Sequence, residues 1–145
     1  MQALDEANLE HTPENETMMR DQLRREHGED VVIRSVIDQI HGLINAGQRV
    51  IIADGLGSWT AYRALKHEFP GEVKFIALLT SRHIRHHRLV NRLERPLTEQ
   101  QTTDRDINEI ERLNKGGVIA MADYFITNNS SFDNLYASID ALELL

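Results

Sequence analysis

The sequence predicts a single α/β domain built on parallel strands, on three observations. Three short apolar segments, Arg49–Ala53, Val73–Leu79 and Tyr124–Thr127, read as strands. Helical periodicity fills the stretches before and between them. Those intervening stretches are too long for hairpins, so the strands are expected to be joined by right-handed crossovers and to run parallel. With 145 residues and 41% hydrophobic content, the chain supports one core and not two of ordinary size. No repeat, low-complexity tract or Pro/Ser linker marks a boundary inside residues 1–145.

The first dozen residues lack periodicity. Thr12-Pro13-Glu14 then starts a helix, with Thr12 able to cap and Pro13 suited to the first helical position, and Gly28 ends it after His27. A second helix is expected from Asp30 to Ala46, with Val32, Val36, Ile40 and Ile44 on one face and Gly47 as its stop. The Arg49–Ala53 strand ends at Asp54-Gly55. Ser58 caps a helix to about Glu68, where Trp59, Tyr62, Leu65 and Phe69 recur three or four apart before the Pro70-Gly71 turn. After the second strand, Thr80 or Ser81 starts a basic helix that must end near Arg95-Pro96, because proline costs it a hydrogen bond. Thr98 with Gln101 is a capping-box pattern for a helix from Glu99 to about Leu113, broken by Gly116-Gly117. A helical turn at Val118–Ala122, the third strand, and a last helix capped by Ser130 or Ser131 and running to Leu145 complete the chain.

Composition narrows the function. There is no cysteine, so no disulfide framework or thiolate metal site exists, in keeping with a cytoplasmic location. No apolar run approaches the roughly 18 residues that span a bilayer, so no membrane role is expected. The net charge of -7 argues against general nucleic-acid binding. Against that acidic background, Arg82, Arg85, Arg88, Arg92 and Arg95 face only Glu94 between Ser81 and Arg95. This local excess of positive charge calls for an anion, either a bound phosphate or an acidic surface of the same molecule.

The order of several segments is similar to that of a P-loop nucleotide kinase of the dephospho-CoA kinase type. The matching stretches are Arg95-Pro96-Leu97-Thr98-Glu99-Gln100-Gln101, then Arg105-Asp106, then Ala122-Asp123-Tyr124-Phe125-Ile126-Thr127-Asn128, and the closing helix with Leu135, Ile139 and Leu142. Upstream, His11-Thr12-Pro13-Glu14-Asn15, the strand ending in Asp54-Gly55 and the strand leading to Thr80-Ser81-Arg82 resemble archaeal-type relatives of those kinases. The resemblance implies a three-layer, parallel-sheet P-loop kinase-like (NMP kinase-like) fold across residues 1–145, incomplete at its N-terminus. The family's Gly-rich loop ending in Gly-Lys-Ser/Thr is absent, since no G-x-x-x-x-G-K-[ST] occurs and Gly55-Leu56-Gly57-Ser58 lacks the lysine. Related kinases also often carry an arginine after Asp-Gly where this chain has Gly57. The missing first strand would lie in the middle of the family's sheet, so the remainder must rearrange, pair with another copy, or belong to a longer protein.

The resemblance implies that Asp54 acts near Mg2+ or the substrate and that Arg88, Arg92 and Arg95 act as lid arginines around the phosphates of ATP. It also sets Asn128 beside the adenine. Each has a plainer alternative: a turn at Asp54-Gly55, a solvated basic helix face over 81–95, and a helix cap at Asn128-Asn129-Ser130. His83, His86 and His87 share the basic helix, and His83 with His87 has the i, i+4 spacing of a metal pair, but no obvious third ligand accompanies them, so surface or phosphate-neighbouring histidines are the better reading. Asp106 pairs with a lid arginine or only with its own helix and solvent. Trp59 and Tyr62 read as core or as a dimer contact rather than a stacking platform. The expected function is ATP-dependent phosphoryl transfer to a nucleotide-like small molecule, inactive in this chain alone for want of the Walker A loop. The alternative is a non-catalytic, self-associating or partner-binding module of the same fold, with a homodimer expected because unpaired strand edges favour association.

Overall fold

Local capping sets most of the helices in the computed structural model of the chain, which describes residues 7–10, 12–28 and 30–142. The Thr12 side chain accepts the N–H of Asn15 at 3.2 Å, opening α1 (Pro13–His27), and Gly28 closes it at φ +96°, a conformation side chains rarely adopt. α2 spans Val31–Asn45, and its buried side is Ile33 with Val36, Ile37 and Ile40 beside it. The expected every-fourth-residue stripe is therefore rotated, because Val32 and Ile44 at its ends are 38% and 42% exposed. A strict four-residue repeat drifts off a face with 3.6 residues per turn. Ser58 Oγ accepts the N–H of Ala61 at 3.1 Å and starts α3 (Trp59–Glu68).

One apolar core joins these two helices. Ile33 of α2 and Ala61, Leu65 and Phe69 of α3 and its end are buried together, with Leu56, Val73 and Phe75 packed around them. Tyr62 lies between two aromatic neighbours, stacked on Trp59 at 5.2 Å and tilted against Phe75 at 4.7 Å.

The sheet is two strands, β1 (Ile76–Leu79) and β2 (Tyr124–Thr127), parallel and in register from Ile76 opposite Tyr124 to Leu79 opposite Thr127. Arg49–Ala53, expected as a strand, forms none. A strand exists only by pairing, and here the two later segments pair with each other and leave the first without a ladder; Ile52 is 91% exposed. The second strand is shorter than expected, since Val73 and Phe75 serve the helical core instead.

At the amino ends of the strands sits Asp123. Its Oδ2 accepts the Phe75 N–H at 2.7 Å and the Lys66 ammonium at 3.0 Å, fastening β1, the start of β2 and α3 together. The backbone hydrogen bond from Phe75 holds the Asp123 carboxyl below its ordinary range, with burial opposing and Lys66 assisting.

Past β1 come α4 (Arg82–Asn91), α5 (Glu99–Glu111) and α6 (Lys115–Ala120), and past β2 comes α7 (Phe132–Asp140). α4 ends four residues before the expected Arg95: Arg92 is extended, and Arg95 adopts φ +50°. The residue before a proline is driven out of the helical region, so the disruption reaches back from Pro96. The capping box is present, with Thr98 Oγ1 accepting the Gln101 N–H at 3.2 Å and Gln101 Oε1 accepting the Thr98 N–H at 2.9 Å. The break before α6 falls at Asn114 (φ +49°), and Gly116-Gly117 lie inside the helix. Gly117 is there for space: a Cβ on it would lie 3.3 Å from the Trp59 ring. Ser131 caps α7 through the Asn134 N–H at 3.4 Å, and the helix stops at Asp140 with Ala141 as its C-cap, short of the expected Leu145. α2 packs on α1 and α3, α6 on α3 and α5, α4 on α5, and α7 on β2.

Candidate functional site

The carboxyl ends of parallel strands are where open α/β sheets bind ligands, because backbone N–H groups and helix starts gather there. Here they carry Thr80-Ser81 after β1 and Asn128-Asn129-Ser130 after β2. Asn128 N–H donates to the Leu79 carbonyl at 2.7 Å, and Ser81 N–H to Asn129 Oδ1 at 2.8 Å, so the two strand ends are laced together.

α4 lies against this end through its arginines. Arg88 Nη1 donates to the Asn128 backbone oxygen at 2.7 Å and to Asn128 Oδ1 at 3.1 Å, while Nη2 reaches the Ser130 carbonyl at 3.2 Å. Two of the four residues expected to meet a nucleotide, Arg88 and Asn128, are thus brought together and bonded to each other. Arg85 bridges in the other direction, with Nη1 on the Thr80 carbonyl at 3.3 Å and Nη2 on Asp106 Oδ2 at 2.6 Å. Arg92 lies beyond the helix end and its Nε donates to the Arg95 carbonyl. Asp54 is exposed in the segment between α2 and α3, and among the described residues no hydrogen bond or ion pair ties it to Arg88 or Arg92.

Asp106 of α5 is the acidic counterpart that the basic helix called for. Its Oδ2 receives Arg85 and the His86 Nε2 at 2.8 Å, with Arg82 Nε at 3.6 Å. Burial pushes its carboxyl up, but the hydrogen bonds and charges of His86 and Arg85 outweigh that and hold it below its ordinary range. Glu109 is likewise lowered, with burial opposed by Lys115 at 2.8 Å and by Arg105 one turn away at 3.2 Å. Of its two alternatives, Asp106 takes the arginine of the preceding helix, while Glu109 takes the local i, i+4 pair together with Lys115.

Sequence reasoning read His86 as a surface or phosphate-neighbouring histidine and missed Thr102, with which it pairs. Thr102 is fully buried, and its Oγ1 lies 3.1 Å from His86 Nδ1 and 2.7 Å from the Glu99 carbonyl. Beside them a cavity of about 300 Å³ is lined by His83, His87, Asn91, Glu99 and Thr103. Only the capping box, which fixes where Thr102 falls on α5, hinted at this placement.

The groups that would cradle a nucleotide phosphate are otherwise engaged. At Gly55-Leu56-Gly57-Ser58 the Ser58 hydroxyl caps α3, the Trp59 N–H donates to the Leu113 carbonyl at 2.9 Å, and the Lys115 stem lies where a Gly57 Cβ would be, 3.1 Å away. Among the described residues no three His, Asp or Glu side chains are placed to hold a metal ion. Among the described residues no helix is long and apolar enough to cross a membrane.

No protein-family model matches the chain. It is 33% identical over 137 residues to a UPF0200 protein of Thermococcus kodakarensis, covering 92% of this chain and 73% of that one. A UPF0200 protein of Thermococcus sibiricus is 33% identical over 95% of this chain and 73% of its own length, and one of Pyrococcus furiosus is 31% identical over 90% and 71%. These names state no activity, and none is that of a dephospho-CoA kinase. Residues 1–145 belong to the UPF0200 family.

Proposed function

We propose that the chain is a nucleotide-kinase-like protein resembling dephospho-CoA kinase, and that these 145 residues alone do not transfer phosphate. One observation carries the reading: Arg88, on a basic helix at the carboxyl ends of two parallel strands, donates to Asn128 and Ser130, so the arginine suited to a phosphate is held by the chain's own carbonyls. The absence of any G-x-x-x-x-G-K-[ST] sequence supports the second half of the proposal. No phosphoryl-transfer step is assigned to Asp54, Arg92 or Arg95.

A second reading, a non-catalytic module that associates with itself, draws on the apolar residues left in the open. Ile52 is 91% exposed, Leu78 60% and Phe125 54%, as at an edge or face that another chain covers.

Calorimetric titration of the purified chain with Mg-ATP, run beside light scattering, separates the two. No heat of binding together with the mass of a dimer is expected for the self-associating module. Binding tighter than about 1 mM would favour a surviving nucleotide site. Phosphate transfer to any nucleotide-like acceptor would overturn the inactivity.

A further inference from the structure

The contacts around His86 allow a different number of hydrogen bonds in each of its protonation states. A hydroxyl carries one hydrogen, and Thr102 Oγ1 has two neighbours that would take it, the Glu99 carbonyl at 2.7 Å and His86 Nδ1 at 3.1 Å. The hydrogen can go to either: Thr103 Oγ1 also reaches the Glu99 carbonyl, at 3.1 Å, so a neutral His86 can accept the Thr102 hydrogen at Nδ1. When the hydrogen goes to the carbonyl instead, the contact to Nδ1 is a hydrogen bond only if Nδ1 carries a hydrogen and donates to the hydroxyl oxygen. On the other side of the ring, Asp106 Oδ2 only accepts, so Nε2 at 2.8 Å must also carry a hydrogen. All three bonds are made at once only when His86 is an imidazolium.

We infer that Thr102, His86 and Asp106 form a proton-operated clasp between α4 and α5, fastened when His86 carries its second proton and loosened when it loses it. A neutral His86 keeps its bond to Asp106 and leaves Thr102 to choose between Nδ1 and the Glu99 carbonyl. Because Thr102 is fully buried, water does not replace the bond given up; the neutral state makes two of the three bonds, with the Thr103 hydroxyl still on the Glu99 carbonyl, and loses the charge that faces Asp106.

The charges facing the ring are known from both helices. From α5, Asp106 favours the cation at hydrogen-bonding distance, and Glu99 lines the adjoining cavity. From α4 itself, Arg85 and Arg82 oppose it; they share Asp106, and their side chains are 40% and 64% exposed against 19% for His86, so water screens them more. His83 and His87 sit on exposed positions of the same helix.

The clasp acts on the strand ends, because the helix that His86 fastens also carries Arg85 to the Thr80 carbonyl and Arg88 to Asn128.

The test follows the full chain and two variants by thermal unfolding at about pH 5.5 and about pH 8, on either side of the ordinary histidine range, with nitrogen NMR of the imidazole rings. For T102V, the melting point should fall below that of the parent by more at the acid pH than at the alkaline one. T102S, which keeps the hydroxyl, should restore the parent's pH dependence. The ring nitrogens of His86 should both be protonated at the acid pH, and in T102V the Nδ1 signal should move the most. An equal deficit for T102V at both pH values, or a His86 that stays neutral at the acid pH, would overturn the clasp. If T102V fails to fold, the NMR signature of the parent and of T102S decides alone.

Discussion

Two aspartates sit at opposite ends of the strand pair and hold the molecule by different means. Asp123, at the amino ends, takes the backbone N–H of Phe75 and the Lys66 ammonium. Asp106, beyond the carboxyl ends, takes only side chains, Arg85, His86 and Arg82. Both carboxyls lie below the ordinary range, yet the leading cause differs: at Asp123 the backbone bond itself lowers it, whereas at Asp106 burial works against the charged form and side chains must overcome it. A backbone N–H stays in place as long as the strands do. Side chains move, and one of them titrates. The amino end is built as a fixed clamp and the carboxyl end as an adjustable one, in keeping with functional sites being drawn from the less rigid parts of a fold.

The largest effect is expected from breaking the fixed clamp. Asp123→Ala removes the acceptor of the Phe75 N–H and the partner of Lys66. Hydrogen bonds to charged groups contribute about 1.5–3 kcal/mol, and the site is partly open to water, so about 1.5 kcal/mol of destabilisation is expected, roughly 5 °C in melting temperature. An unchanged melting point would show that water replaces the carboxylate and that there is no clamp.

Asp106→Asn tests the adjustable end. The amide still offers one acceptor but loses the charge that Arg85 and His86 face, so about 1 kcal/mol is expected near neutral pH, measured by denaturant unfolding. Since the native carboxyl lies below its ordinary range, its contribution is fully present above that range and is lost as pH falls through the depressed native value. The parent should therefore lose its advantage over Asp106→Asn as the solution is acidified below about pH 4. A difference that stays constant into strong acid would mean that the charge of Asp106 contributes nothing.

What the sequence disclosed of this arrangement was set by how local the physics is. Thr12, Ser58, Thr98 with Gln101, and Ser131 cap their helices as expected, because a cap bonds an amide within three residues of itself. The run of Val and Ile at Arg49–Ala53 announces β propensity but says nothing about whether a partner is present, and the segment stays unpaired. The arginines are legible as a basic element in search of an anion; the acid that Arg82 and Arg85 meet, Asp106, lies 21 residues from Arg85. His86 and Thr102 are 16 residues apart and carry no pattern in the sequence at all. Only the packing of α4 on α5 creates that pair.

The smallest expected effect sharpens the comparison most. Lys66→Met removes the ammonium from Asp123 and keeps a stem of similar length beside Tyr62 and Phe75, whose ring centres lie 6.0 and 5.7 Å from Nζ. The Phe75 N–H remains. With the pair about 30% exposed on each side, water screens the charge, and the loss should be about 0.5 kcal/mol. The more telling readout is the carboxyl titration followed by carbon NMR. If the backbone bond is the leading cause, Asp123 in Lys66→Met still titrates below its ordinary range. In His86→Gln, by contrast, Asp106 loses one of the two side chains that offset its burial, and its titration should move upward clearly. If instead Asp123 returns to the ordinary range without Lys66, both carboxylates depend on side-chain charge, and the distinction between a fixed and an adjustable end fails.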